Sequence, residues 1–141
     1  MSEQNVELHR RVIDSFNARD IDEFVTYFDP QIEFHSVSAA VGGGVYRGHD
    51  GLRRDIEDTM DAWGDGFTAE PEAFFDLGEK TLLFHVVHGR GRESGAAVAM
   101  PAAQFCIWRN GLCVYLKAYP QREDALKDLG VSRDELEPIL P

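Results

Sequence analysis

Two histidines three residues apart, His85 and His88, are the first pair in this sequence whose type and spacing suggest chemistry. The run from Lys80 to Gly89 reads as a strand, and on a strand residues three apart point to opposite faces. The pair therefore cannot chelate one ion. No other His, Cys or carboxylate spacing completes a site, so neither a metal nor a cofactor is expected. At most one of the two faces an interior. If the connection from Arg90 to Gly95 is of even length, Phe84, Val86 and His88 turn inward; an odd length favours His85. A histidine at a pocket mouth exchanges protons near neutral pH, which makes His88 a candidate acid or base. The plainer reading is a hydrogen-bonded structural histidine, because one His without partners is not a site.

Lys117 and Tyr119 form a second candidate set, on one strand face with Tyr115. A desolvated lysine has a lowered pKa and serves as base or nucleophile. The competing role is a lysine on an interface, paired with a carboxylate. Tyr27 and Tyr46 could each donate to a ligand carbonyl. His35 shares a face with Glu33, away from Phe34, and suits a cross-sheet role. His49 falls where a helix begins, as a cap or solvent residue, and His9 at the polar edge of the first helix. Gly42-Gly43-Gly44 does not lead from a strand into a helix as a phosphate loop must, and reads instead as part of a mobile lid next to Tyr46.

The chain has 141 residues, 14 Lys+Arg against 25 Asp+Glu, a net charge of −11 and 43% hydrophobic residues. That describes one folded domain over residues 1–141. The acidity argues against nucleic acid and anionic membranes as partners. No apolar run approaches about 18 residues, so no bilayer span is expected. The polar start Met1-Ser2-Glu3-Gln4-Asn5 lacks the apolar stretch of a secretion signal. Two cysteines, Cys106 and Cys113, are too few for a disulfide framework. These features point to the cytoplasm.

The elements that must position these residues follow from periodicity. Val6, His9, Ile13 and Phe16 mark a first helix. Asp20 with Glu23 forms a capping box for a second, with Ile21, Phe24, Val25 and Phe28 on its apolar face, stopped by Asp29-Pro30. Gln31 to Val37 alternates as a short strand. A third helix from about Asp50 carries Leu52, Ile56, Met60 and Trp63, and ends at Gly64 and Gly66. Strands follow over 67–75, 80–89, 96–108 and 112–119, the last two joined by the hairpin dipeptide Asn110-Gly111. A short helix over 122–129 and a possible cap at Ser132 with Glu135 complete the chain. Helices early and an antiparallel meander late give an α+β class. A curved sheet wrapped around the helices makes a cone with an apolar interior.

This layout resembles the nuclear transport factor 2-like superfamily, in its SnoaL-like branch. The resemblance rests on Asn17-Ala18-Arg19-Asp20, Phe28-Asp29-Pro30, Glu33-Phe34-His35, the run Tyr46-Arg47-Gly48-His49-Asp50-Gly51-Leu52-Arg53-Arg54, and Trp63. It continues through Gly91-Arg92-Glu93-Ser94-Gly95, Trp108-Arg109-Asn110-Gly111 and Asp124-Ala125-Leu126. Relatives include isomerases, polyketide cyclases, epoxide hydrolases, dehydratases and non-catalytic binders, so the fold does not set the reaction. The ketosteroid isomerase base falls on Ser36, its oxyanion Asp on Ala103 and its donor Tyr on Val12. The cyclase base falls near Gln121, and an amide is no general base. The Asp-Arg-Asp set of the epoxide hydrolases has no equivalent.

The resemblance places Ala103 inside the cone. Regular hairpin pairing across Asn110-Gly111 then puts Phe105, Ile107, Val114, Leu116 and Ala118 on the same inner face. Gln104, Cys106, Trp108, Cys113, Tyr115, Lys117 and Tyr119 look outward, where an aromatic face suits a homodimer interface; a bulge in either strand inverts the assignment. The expected pocket is lined by Phe16, Phe28, Phe34, Ser36, Phe84, Phe105, Leu116 and Ala118. It takes a small hydrophobic molecule, as an isomerase, cyclase or hydrolase, with a non-catalytic binding or dimerisation module as the alternative. A filled core with no cavity is the bland outcome, since cores close-pack.

Overall fold

The computed structural model describes residues 2–36, 45–64, 66–90 and 95–141. The Gly42–Gly44 run, and with it the expected lid, lies outside the described residues, as does most of the Gly91–Gly95 motif. Helices α1 (Ser2–Asn17) and α2 (Ile21–Thr26) open the chain. Strands β1 (Phe28–His35) and β2 (Tyr46–Arg47), helix α3 (Gly48–Trp63), and strands β3 (Thr68–Asp76), β4 (Lys80–Arg90), β5 (Ala97–Arg109) and β6 (Leu112–Tyr119) follow. Helix α4 (Arg122–Leu129) and a 3₁₀ turn (Arg133–Glu135) close it. The fold is α+β, with one curved, unclosed six-stranded sheet in the order β2-β1-β6-β5-β4-β3. Every pairing is antiparallel except β1 with β6.

Local chemistry explains most element ends. The Glu23 amide donates to Asp20 Oδ1 (3.2 Å), the cap expected at α2. Asn17 ends α1 and ties it to β3, its Nδ2 donating to Ala69 O (2.7 Å) and its Oδ1 accepting from Ala69 N (3.0 Å). Asn110 and Gly111 take φ of 54° and 78°, the left-handed pair a two-residue hairpin needs. Ser132 and Glu135 form a capping box on the 3₁₀ turn.

Two boundaries differ from the sequence expectation. Phe28 begins β1 rather than ending a helix, because the Tyr27 carbonyl accepts from Cys113 N (2.9 Å) and draws the chain into the sheet early. Pro30, which lacks an N–H, falls between the paired residues Phe28 and Glu33, where the register shifts. The two-residue strand β2, beside the glycine run, is not marked by any periodicity in the sequence.

The decisive irregularity lies in the β5–β6 hairpin. Trp108 pairs with Cys113, but the next pair is Ile107 with Tyr115. Val114 is an extra residue on β6, and a one-residue slip exchanges the faces of everything beyond it. Phe105 therefore pairs with Lys117, Gln104 with Ala118, and Ala103 with Tyr119. One lateral row across the concave face reads Phe34, Leu116, Cys106 and Thr81. The opposite face carries His35, Lys117, Phe105, Leu82 and Phe75 in its own row.

Each face has its own core. Helices α1, α2 and α3 cover the concave face, where Val6, Val12, Ile13, Leu52, Ile56, Phe28, Ile32 and Leu116 are buried. Helix α4 and the 3₁₀ turn cover part of the outer face, burying Phe75, Leu82, Phe84, Ala103, Phe105, Tyr119 and Ala125. Arg122 fastens this second layer. It donates to Ala102 O (3.1 Å), to His85 O (2.8 Å) and to Glu72 (2.9 Å), and lies over the Phe84 ring. The open edge of β3 is occupied by the chain's own end, with Phe74 and Ile139 exchanging backbone hydrogen bonds of 2.8 and 2.7 Å, which protects an edge that would otherwise pair with another chain. Among the described residues no helix is long and apolar enough to cross a membrane.

Candidate functional site

A cavity of about 410 Å³ opens between α1, α3 and the concave face of the sheet, within the range that holds small organic ligands. One wall is a run of aromatic rings in contact. Phe24 lies 6.0 Å from Phe16, Phe16 lies 6.0 Å from Phe67, and Phe67 lies 6.3 Å from Trp63. Ala102 and Ala118 form the sheet side, and small residues there leave room that larger ones would fill. Ser36, Asp55, His85 and Gln104 are the polar side chains set among these apolar walls, with Asp58 and Thr59 on α3.

Asp55 is placed by helical spacing. Leu52 and Ile56 bury one face of α3, and Asp55 stands at the edge of that face. Desolvation raises its carboxyl to about 7, the nearby Asp58 carboxylate adds to the rise, and a hydrogen bond from Ser36 opposes it. Asp58 itself accepts from Tyr46 OH (2.6 Å), so that tyrosine serves the carboxylate rather than a ligand.

His85 is buried on β4, and its ring makes no hydrogen bond to the described residues; Nδ1 is enclosed without a partner. Burial lowers its pKa to about 3, with smaller contributions from His9 and Arg122, so the ring is neutral. Gln104 on β5 reaches the same space. Its Oε1 accepts from His9 Nε2 (2.8 Å), and His9 Nδ1 meets the Thr81 hydroxyl (2.8 Å), which accepts from Trp108 Nε1 (2.8 Å). His9 is fully buried on α1 rather than at a polar edge, and burial takes its pKa down to about 4.

The residues singled out from sequence are dispersed by the fold. Phe16, Phe34, Ser36 and Ala118 line the cavity. Phe28 and Leu116 are buried in the same core without lining it. Phe84 and Phe105 lie on the outer face in the second core. Pairing of Phe84 with Ala103 does match an even connection, but that shared face is not the cavity face; His85 and Val87 are the cavity-facing residues of β4. His88 is exposed and donates to Glu70 (2.8 Å). Lys117 and Tyr119 sit on the outer face, where both reach Asp128, at 3.4 and 2.8 Å. The bulge at Val114 and the anchoring of Ala103 inside the cone account for these displacements.

Asp55 escaped the sequence reading, while Gln104 was expected to look outward and His9 to lie at a polar edge, and the structure turns both inward. Their signals were present but thin. Asp55 flanks the Leu52–Ile56 stripe, His9 falls within the apolar stripe of α1, and Gln104 interrupts an apolar strand face. His35 donates to Glu33 (2.6 Å), and His49 donates to Phe28 O (2.8 Å), tying α3 to β1. Cys106 and Cys113 are buried free thiols. Among the described residues no group of three or more His, Cys, Asp or Glu is arranged to hold a metal ion. The arrangement thus supplies one desolvated carboxyl whose pKa is raised to about 7 and three neutral hydrogen-bonding groups, Ser36, His85 and Gln104.

Comparison with known proteins agrees with this architecture. A nuclear transport factor 2-like protein of unknown function from Burkholderia pseudomallei superposes with a TM-score of 0.76 at 18% identity, covering 90% of this chain and 97% of that one. TerC, co-crystallised with polyporic acid, gives 0.75 at 17% identity over 88% and 96%. A putative SnoaL-like polyketide cyclase from Jannaschia gives 0.73 at 16% over 84% and 86%. At these identities the likeness is one of fold. A search of curated proteins returns no match. The SnoaL-like domain profile matches residues 9–116, from the buried histidine of α1 to the middle of β6, and the chain belongs to that family.

Proposed function

We propose that the cavity binds a small, mostly apolar molecule and that Asp55 transfers a proton on it, as an isomerase, cyclase or hydrolase of the SnoaL-like kind does. The observation that carries this reading is a carboxyl with a pKa of about 7 set in an apolar cavity, since a general base works best when its pKa lies near the operating pH. Ionised Asp55 takes a proton from a weak carbon or oxygen acid held against the aromatic wall, and returns it to the product. Among the described residues no Lys or Arg lines the cavity, which suits an uncharged or weakly acidic substrate better than a strong anion. The polyporic acid held by TerC supports a small organic ligand.

A non-catalytic binding module is the second reading, favoured by the side chains at the positions matching the relatives' catalytic residues: Ser36, Val12 and Gln121. Mass spectrometry of the molecule that co-purifies identifies a starting ligand. Turnover of that ligand or its close analogues is then measured for the wild type and Asp55→Asn. The catalytic reading expects turnover to rise with pH through about 7 and to fall by at least about 100-fold in the variant, with binding retained. Equal turnover in both proteins overturns it, and binding without turnover establishes the binder. A homodimer through the uncovered part of the outer face, around Tyr115 and Ile107, belongs to the same proposal; Tyr115→Glu is expected to halve the mass measured by light scattering.

A further inference from the structure

The chain of buried hydrogen bonds behind the cavity has a direction. Trp108 Nε1 is only a donor, and it points at the Thr81 hydroxyl (2.8 Å). Gln104 Oε1 only accepts, so the His9 Nε2 it faces (2.8 Å) carries the proton of the neutral ring, with the Cys106 sulfur 3.6 Å away as a weaker neighbour. The bare Nδ1 then accepts from the Thr81 hydroxyl (2.8 Å). His9 is held in place by the edge of Phe74 and by Trp108, with ring centroids 5.4 and 6.2 Å away. An amide whose oxygen is engaged by a donor presents its NH2 on the other side. Gln104 lies on the cavity face, half-buried, and its Nε2 has no partner among the described residues. Had the ring carried its proton on Nδ1, the amide would reverse and offer its oxygen to the cavity.

We infer that His9, through its tautomer, fixes the Gln104 amide with its NH2 group toward the cavity, so that the site selects ligands bearing an acceptor oxygen, such as a ketone or ester carbonyl, over hydrocarbons of the same shape. Gln104 is the specificity-determining residue, and His9, Thr81 and Trp108 are positioning residues. Burial keeps His9 neutral at physiological pH, so the tautomer is not lost to protonation. The inference rests on the cavity being a ligand site.

Two measurements test it. Nitrogen-15 NMR of the histidine-labelled wild-type protein reads the tautomer directly. A protonated Nε2 and a pyridine-type Nδ1 on His9 are expected, and a protonated Nδ1 overturns the inference whatever the ligand. The second measurement compares 2-acetylnaphthalene with 2-ethylnaphthalene by NMR titration. The ketone is expected to bind the wild type about tenfold more tightly, as one desolvated hydrogen bond provides. It is expected to shift the Gln104 side-chain amide resonances, and to lose its advantage in Gln104→Leu. A ketone advantage that survives Gln104→Leu, or is absent from the wild type while the hydrocarbon binds, overturns the inference and leaves the ligand site standing. Binding of neither compound overturns the ligand site and the selection together.

Discussion

Asp55 on α3 and Ser36 just beyond β1 meet at the cavity, the serine hydroxyl donating to the carboxylate. Among the described residues this is the polar contact that favours the ionised form against desolvation and the Asp58 charge. Ser36→Ala is therefore expected to move the Asp55 midpoint above 7, because the charged form loses its donor. Carbon-13 NMR titration of the carboxyl measures the change. An unchanged or lowered midpoint would show that the hydroxyl does not tune the acid.

Asp55 also links pH to stability. Its folded pKa is raised, so the folded state holds the extra proton between the ordinary carboxylate range and about 7, and stability is gained as pH falls through that window. Asp55→Asn removes the buried charge. At pH 8 it is expected to stabilise the protein by about 1–2 kcal/mol, a figure discounted for the partial exposure of the carboxyl. The gain is expected to shrink by pH 5, which denaturant unfolding at the two pH values measures.

The buried histidines act in the opposite sense. His9 and His85 have lowered folded pKa values, about 4 and 3, so unfolded chains take up protons below about 6.5 that the folded state refuses. Stability from each is present above 6.5 and is lost as pH falls, with His9 contributing about 3 kcal/mol over the window down to 4. His85→Gln is expected to flatten the acid limb of the stability curve without disturbing the His9 network. An acid limb of unchanged slope would place the proton uptake elsewhere.

The bulge admits a direct test. Deleting Val114 leaves Ile107 opposite Tyr115, Phe105 opposite Lys117 and Gln104 opposite Ala118, so both faces are kept and only the extra residue is lost. The deletion is therefore expected to retain cooperative thermal unfolding, as is Val114→Ala with a loss of about 1 kcal/mol. Loss of cooperative unfolding on deletion would show that the bulge itself holds the hairpin.

Arg122 joins β3, β4 and β5 to α4 through three acceptors. Arg122→Ala leaves two sheet carbonyls without their donor and bares the Phe84 ring. A loss of about 2 kcal/mol is expected by denaturant unfolding, with Arg122→Lys recovering part of it, since an ammonium lacks the planar fork that reaches all three.

The sequence by itself determined the α+β class, the order of every long element, the Asp20 cap, the Ser132–Glu135 capping box and the Asn110-Gly111 turn. These depend on local periodicity and local backbone preference, which a single chain displays. It also determined that Phe16, Phe34 and Ser36 belong to elements covering one concave face. Only the tertiary structure decided which sheet face became that interior. A single extra residue, Val114, reverses the alternation of Lys117, Ala118 and Tyr119 relative to β5, and no composition signal marks it, because a bulge relieves strain in the paired sheet rather than in the isolated strand. The chemistry was equally non-local. Asp55 looks like any acidic residue on an exposed helix until α3 packs over the cavity, and His9 acquires its role from Thr81 and Gln104, 72 and 95 residues away along the chain. Desolvation and long-range hydrogen bonding are properties of neighbours, and neighbours exist only once the chain has closed.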